Sequence, residues 1–214
     1  MTIYDLKPKF QGLLRPISDW LATHGVTPNM VTGTALVMSI AEGIAIWRFP
    51  TAVWPLLLLP VILFARMALN AIDGMMAREH HMQTTFGKWL NEVSDIVSDL
   101  ALYAPFLVFF IGLLPKALFF MFLCCIILSE AIGIRGYRYG TRRYDGPMGK
   151  SDRALWMSVY SLSIVLLTVS GTWIFSFCYS LALYVAVWIT IGRRYEGVLA
   201  NMNEKRNEME RRSA

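Results

Sequence analysis

Residues 70–95 read NAIDGMMAREHHMQTTFGKWLNEVSD and set Asn70, Asp73, Arg78, Asn91 and Asp95 at the ends of two apolar stretches. Arg66, Asn70 and Asp73 are spaced by four and three residues, so at about 100° per residue they share one helix face. Asn91, Asp95 and Asp99 repeat every four residues on the next stretch, with Glu92 at the border of their face. Two antiparallel helices with a short link can bring these faces together, making a cavity of oxygen ligands flanked by Arg78. Hard oxygens so arranged suit Mg²⁺ or Mn²⁺ held together with the phosphates of a substrate. No cluster of Cys and His suggests zinc. His80 and His81 are adjacent, so their rings diverge on a helix, and they read as interfacial rather than ligating.

The elements that must hold these residues are membrane helices. The chain has 214 residues, is 56% hydrophobic and only 16% charged, and has a mean hydropathy of +0.47. A soluble domain carries about a quarter charged residues. The apolar residues also form runs too long for an aqueous core. An all-α integral membrane fold follows, with six candidate spans at 28–47, 52–75, 87–113, 117–134, 154–171 and 173–192, each near the roughly 20 residues that cross the hydrocarbon. Ser170-Gly171-Thr172 separates the last two. Cys124, Cys125 and Cys178 all lie within apolar runs and read as packing residues. No signal peptide is expected at the N-terminus, so the spans themselves direct insertion.

Basic residues set the orientation. Lys7, Lys9 and Arg15 precede the first span, Arg78 and Lys88 follow the second, six more fill 135–153, and another six follow the sixth span. The opposite side has only Arg48 and Lys116. Both termini and the polar cavity are therefore expected on the cytoplasmic side of the membrane. The net charge of +5 needs no nucleic acid, because anionic headgroups are a sufficient neighbour. Before the first span, Phe10, Leu13, Leu14, Ile17, Trp20 and Leu21 recur at helical spacing between polar residues, as in an amphipathic helix lying in the interface plane. Trp20, Trp47, Trp54 and Trp173 read as interface anchors. The organisation expected is an interfacial helix at 1–26, a six-helix membrane domain at 27–192 and a basic cytoplasmic tail at 193–214.

These residues carry a resemblance. The run Asn70, Asp73, Gly74, Ala77, Arg78, Gly87, Asn91, Asp95 resembles the signature of the CDP-alcohol phosphotransferases, D-x2-D-G-x2-A-R-x8-G-x3-D-x3-D, with every spacing kept and six of eight positions matched. TPNMVT at 27–32 looks like the family's entry to its first span, and GPMGKSDRA at 146–154 like its basic acceptor-side loop. The resemblance implies an enzyme that moves a phosphatidyl group from a CDP-linked lipid, such as CDP-diacylglycerol, to a hydroxyl acceptor with release of CMP. It further implies that Asn70, Asp73, Asn91 and Asp95 hold the divalent metal and that Asp95 is the general base. Gly74, Ala77, Arg78, Gly87, Asn29 and Thr32 would face the CDP-alcohol, and Lys150 and Arg153 a phosphate-bearing acceptor. Assembly as a homodimer is left open.

The chain departs from the signature at Asn70 and Asn91, where the family has aspartate. An amide oxygen can ligate a metal but brings no charge, so two formal charges are gone and the number of ions, one or two, stays open. Glu92 or Asp99 is the available substitute carboxylate. The alternative is a catalytically impaired member that binds CDP-lipid or scaffolds other lipid enzymes. A small transporter is a third class, but the two halves lack corresponding helix breaks. Among the remaining polar residues, Arg66 is expected to meet Asp73 or a phosphate, or to pair with Glu42. Glu130 is expected to pair with Arg135. Lys150 and Arg153 also read as positive-inside anchors, and Asn29 and Thr32 as caps of the first span.

Overall fold

The computed structural model describes residues 3–137, 146–166 and 172–213 of the chain. Among these it is all helical and divides into two compact units, Met1–Pro105 and Phe106–Ala214. The first unit contains α1 (Ile3–Thr23), α2 (Pro28–Arg48), α3 (Val53–Glu79) and α4 (Thr85–Tyr103). The second contains α5 (Leu113–Tyr137), α6 (Lys150–Leu166) and α7 (Trp173–Ser213). A short 3₁₀ segment, Ala104–Val108, follows α4.

By length and composition, α2, α3, α5 and α7 can each cross a membrane. Their outward positions are apolar: Val37, Ile44, Leu57, Val61 and Phe64 on α2 and α3 are all exposed. The buried positions of the same unit include Glu42, Arg66, Asp73, Asp95 and Asp99. Apolar outside with charge inside suits lipid as the surrounding solvent, and the chain is a multi-pass membrane protein. α4 fails the same criterion because of the polar residues that make it chemically useful, and α6 is short, with 17 residues.

In unit 1, Thr27 caps α2 by accepting from the Met30 N–H at 3.3 Å, and Pro28 takes the first helical position, where its missing N–H costs nothing. The cap is thus Thr27 rather than Asn29 or Thr32, because capping belongs to the last extended residue. Thr84 caps α4 likewise, accepting from the Gly87 N–H at 2.9 Å. α4 ends at Tyr103, short of the expected 113. Pro105 has no N–H to give the Ala101 carbonyl, so the helical ladder stops there. That carbonyl instead faces α2, where a side chain on Gly43 would place its Cβ 2.0 Å from the oxygen. Only glycine permits so close a backbone approach, the device by which helices associate where lipid supplies no hydrophobic drive.

α1 packs on α3. Leu14 is buried with Ile72, Met75 and Met76, Phe10 meets Phe64 edge-on at 5.9 Å, and Arg15 makes a two-pronged pair with Glu79 at 3.0 Å. His80 meets Asp19 at 2.9 Å. Leu13, Ile17 and Trp20 stay exposed.

In unit 2, α5 and α7 make the main contact. Phe110 stacks on Phe119 at 4.4 Å and on Tyr160 at 4.8 Å, and Tyr160 stacks on Tyr179 at 4.6 Å. Thr172 caps α7, accepting from the Phe175 N–H at 3.2 Å. Ser170 and Gly171 lie outside the described residues. α7 then runs on as one helix of 41 residues through the charged segment from Arg193 to its end. All three cysteines are free thiols.

Candidate active site

The polar faces of α3 and α4 meet inside unit 1. Asn70 Nδ2 donates to Asp95 Oδ1 at 2.9 Å, joining the first signature position to the last. One turn deeper, Arg66 Nη2 donates to the Asp95 main-chain oxygen at 3.0 Å and lies 3.4 Å from Asp95 Oδ1, while Nη1 donates to Asp99 Oδ1. α2 contributes Thr32, whose hydroxyl donates to Asp73 Oδ2 at 2.7 Å. The Pro28 carbonyl lies 3.0 Å from the same hydroxyl. A hydroxyl has one proton, and the nearer, charged acceptor has the stronger claim to it. Asp73, Asp95, Asp99 and Arg66 are all buried.

The edge of the site is built by absent side chains. A Cβ on Gly87 would lie 2.7 Å from Asn29 Oδ1 and 2.9 Å from Thr84 Oγ1, so Gly87 lets the starts of α2 and α4 meet. A Cβ on Gly74 would lie 3.5 Å from Arg78 Nη2, so the Arg78 guanidinium arches over the glycine one turn back. Arg78 is exposed in the last turn of α3, and Ala77 beside it is half-buried. Gly74, Ala77, Arg78, Gly87 and Asn29, with Thr32, are the residues that the resemblance implies would face a nucleotide.

Asn91 offers a test of cation binding. Its Oδ1 is buried and has no hydrogen-bond partner among the described residues. An orphaned buried acceptor is costly unless a donor or cation meets it. Among the described residues no three His, Cys, Asp or Glu side chains gather as a metal cage, which follows from amides at 70 and 91. The remaining donors are all hard oxygens: the Asp73 and Asp95 carboxylates and the two amide carbonyls. That set fits a cation of the Mg²⁺ kind, which commonly takes one or two protein carboxylates and completes its shell with substrate phosphate and water. Glu92 is half-buried beside Asn91.

Several expected partnerships differ. Arg66 pairs with Asp95 and Asp99 instead of Asp73 or Glu42, and Glu42 is left with an unpartnered buried Oε1 among the described residues. In unit 2, Glu130 pairs with Arg153 at 2.9 Å and with Arg194 at 3.5 Å; the Arg135 side chain lies outside the described residues. Arg194 also donates to the Ser129 carbonyl at 2.7 Å, and Arg153 to that of Met148 at 3.2 Å. Arg153 is wholly enclosed, whereas Lys150, in the first turn of α6, is half-buried. Arg194 was legible only as one of many positive-inside cations; its period along α7 would have placed it on the inner face with Val187 and Ile191. A groove of about 410 Å³ in unit 2 is lined by Gly146, Arg193, Glu196, Gly197 and Ala200 and holds no signature residue.

The profile of the CDP-alcohol phosphatidyltransferase family matches residues 25–192, and the chain belongs to that family. It is 43% identical over 196 residues to the inner membrane protein YnbA of Escherichia coli, covering 90% of this chain and 94% of that one. It is 27% identical over 189 residues to a phosphatidylinositol phosphate synthase of Mycobacterium marinum, across 84% of this chain and 74% of the relative. The fold is similar to that of the Mycobacterium tuberculosis phosphatidylinositol phosphate synthase crystallised with CDP-DAG bound, with a TM-score of 0.68, 22% identity and coverage of 86% and 92% of the two chains. The same mycobacterial enzyme in complex with manganese and citrate aligns with a TM-score of 0.67 at 22% identity, over 87% and 88%.

Proposed function

We propose that this chain transfers a phosphatidyl group from a CDP-linked lipid, with CDP-diacylglycerol as donor, to a hydroxyl acceptor and releases CMP. The observation that carries this reading is the closure of the family signature on itself. Its first position, Asn70, bonds to its last, Asp95, at 2.9 Å, while Asp73 is held by Thr32 from a third helix. The donor and the cation are carried over from the mycobacterial neighbour, described with CDP-DAG and with manganese.

In this mechanism the acceptor hydroxyl gives its proton to the Asp95 carboxylate. Its oxygen bonds to the lipid-bearing phosphorus as the bond from that phosphorus to the CMP oxygen breaks, and the electron pair leaves with CMP. Arg78 pairs with phosphate oxygens, Gly74 and Ala77 leave room for the nucleotide against α3, and Gly87 lets Asn29 reach the start of α4. Asp73, Asn91, Asn70 and Asp95 would hold one divalent cation, Mg²⁺ or Mn²⁺, which when bound neutralises diphosphate charge and stabilises departing CMP. For a phosphorylated acceptor, Lys150 is the more exposed of the two basic-loop candidates, and Arg153 contributes through its pair with Glu130.

The same proposal places six spans in a bacterial inner membrane, counting the polar α4 and the short α6. It puts α1 in the cytoplasmic interface, with Leu13, Ile17 and Trp20 toward lipid, and both termini and the site in the cytoplasm. The segment 1–26 is then the interfacial helix, 27–192 the catalytic domain and 193–214 the tail.

The test is purified full-length protein with CDP-diacylglycerol and Mg²⁺ or Mn²⁺, assayed for CMP against glycerol phosphate, inositol phosphate and serine. Asp95→Asn should cut CMP release by about 10²–10⁴ while CDP-lipid binding persists; full activity in that variant would sink the base assignment. The neutral amides at 70 and 91 favour a second reading, a CDP-lipid binder without catalysis. Wild-type protein that binds the donor and releases no CMP with any acceptor would establish it.

A further inference from the structure

Arg66 is a buried charge of unit 1 that the mechanism above leaves unused. It sits one turn from Asn70 on the same face of α3, and its guanidinium reaches two successive turns of α4 at once. Nη1 donates to Asp99 Oδ1, and Nη2 donates to the Asp95 main-chain oxygen at 3.0 Å while lying 3.4 Å from Asp95 Oδ1. Asn70 Nδ2 reaches the same Oδ1 at 2.9 Å. Two donors from α3 therefore fall on one oxygen of the Asp95 carboxylate, and a third contact pins its backbone.

Stability is a poor reason for this arrangement. Burying a guanidinium and two carboxylates costs desolvation that their attraction barely repays, and apolar replacements are often neutral or better. Orientation is a better reason. Proton transfer demands a carboxylate set within a fraction of an ångström, and a misplacement of about 1 Å can cost about 10²-fold in rate. The fork shape of arginine matters too, since an ammonium is a point charge and cannot bridge two carboxylates and a carbonyl.

We infer that Arg66 and Asp99 are a positioning pair. Asp99 anchors Arg66, and Arg66 together with Asn70 orients the Asp95 carboxylate for the acceptor's proton. This rests on the transferase reading given above. It also assigns Asp99 to Arg66, so that Asp99 is not the carboxylate replacing the lost charge at the cation site.

The experiment compares full-length wild type, Asp95→Asn, Arg66→Lys, Arg66→Gln and the double variant Arg66→Gln/Asp99→Asn in lipid nanodiscs. Each is assayed for CMP release from CDP-diacylglycerol with the best acceptor of the panel, and for Mn²⁺ binding by electron paramagnetic resonance. Arg66→Gln alone leaves two buried carboxylates without their cation and is expected to be unstable. The double variant removes charge of both signs and should fold. It should show kcat lowered about 10²-fold, with donor KM within about threefold of wild type and Mn²⁺ binding weakened less than in Asp95→Asn. Arg66→Lys, which keeps charge and loses the fork, should recover part of the rate. A folded double variant with wild-type kcat would overturn the inference, because the pair would then be structural only. Mn²⁺ binding lost as fully in the double variant as in Asp95→Asn would overturn it too, by making Asp99 a cation ligand. Wild-type protein that releases no CMP would overturn the transferase reading and this one with it, an outcome distinct from either variant result.

Discussion

Restoring aspartate at position 70 puts the electrostatics of the site to a quantitative test. Asn70 donates to Asp95 Oδ1 at 2.9 Å, so Asn70→Asp exchanges a charge-assisted hydrogen bond for two carboxylates at contact. Two like charges at that distance repel by about 6 kcal/mol at an effective dielectric constant of about 20. Side-chain rotation or uptake of a proton will relieve part of this, and a divalent cation relieves more. If a quarter of the repulsion is expressed as tighter cation binding, the gain is about 1.4 kcal/mol, or a tenfold fall in half-saturating Mn²⁺. The variant should therefore be less heat-stable than wild type without metal and gain more from added Mn²⁺. Asn91→Asp is the comparison. Asn91 Oδ1 has no hydrogen-bond partner among the described residues, so a carboxylate there gives up no bond; it should tighten Mn²⁺ binding and cost less metal-free stability than Asn70→Asp, which adds a repulsive contact to the cost of burial. Mn²⁺ titration followed by electron paramagnetic resonance, with thermal unfolding in detergent, reads both quantities. Unchanged Mn²⁺ binding in both variants would refute ligation by these positions. Unchanged metal-free stability of Asn70→Asp would refute the contact with Asp95.

Three further outcomes are expected. Gly43→Ala should lower stability by about 1–3 kcal/mol or more, because the new methyl meets the Ala101 carbonyl at 2.0 Å, whereas Gly33→Ala, with nothing within 4 Å, should be tolerated; thermal unfolding of the two purified variants decides it. Glu130→Gln leaves Arg153 and Arg194 buried without their shared carboxylate and should cost about 3–5 kcal/mol, read as a large fall in the unfolding midpoint and in folded yield. In a background lacking the native cysteines, Gln83→Cys should react with an impermeant thiol reagent only from the cytoplasmic side and Thr51→Cys only from the other; labelling of both from one side would refute the span assignment of α3.

What the sequence by itself determined is what depends on local period and composition. Hydropathy located α2, α3 and the apolar part of α7 within a few residues, and the i, i+3 and i, i+4 spacings put Asn70 with Asp73 and Asn91 with Asp95 on their faces before any contact was known. The eight signature positions named the family. Proline punctuation was equally legible in principle, and Pro105 ends α4 near Tyr103 for a reason visible in the text. Partner choice was not legible. Periodicity says which way a side chain points and nothing about which helix lies opposite, or at what depth. The depth of α4 against α2 is set where Gly43 admits the Ala101 carbonyl, and the register of α4 against α3 puts Asp95 and Asp99, rather than Asp73 or Glu42, beside Arg66. Glu130 likewise takes Arg153 and Arg194 from α6 and α7, residues far from it in sequence. A buried charge in a membrane helix must find its counter-charge wherever packing puts one, and packing is a property of the assembled helices.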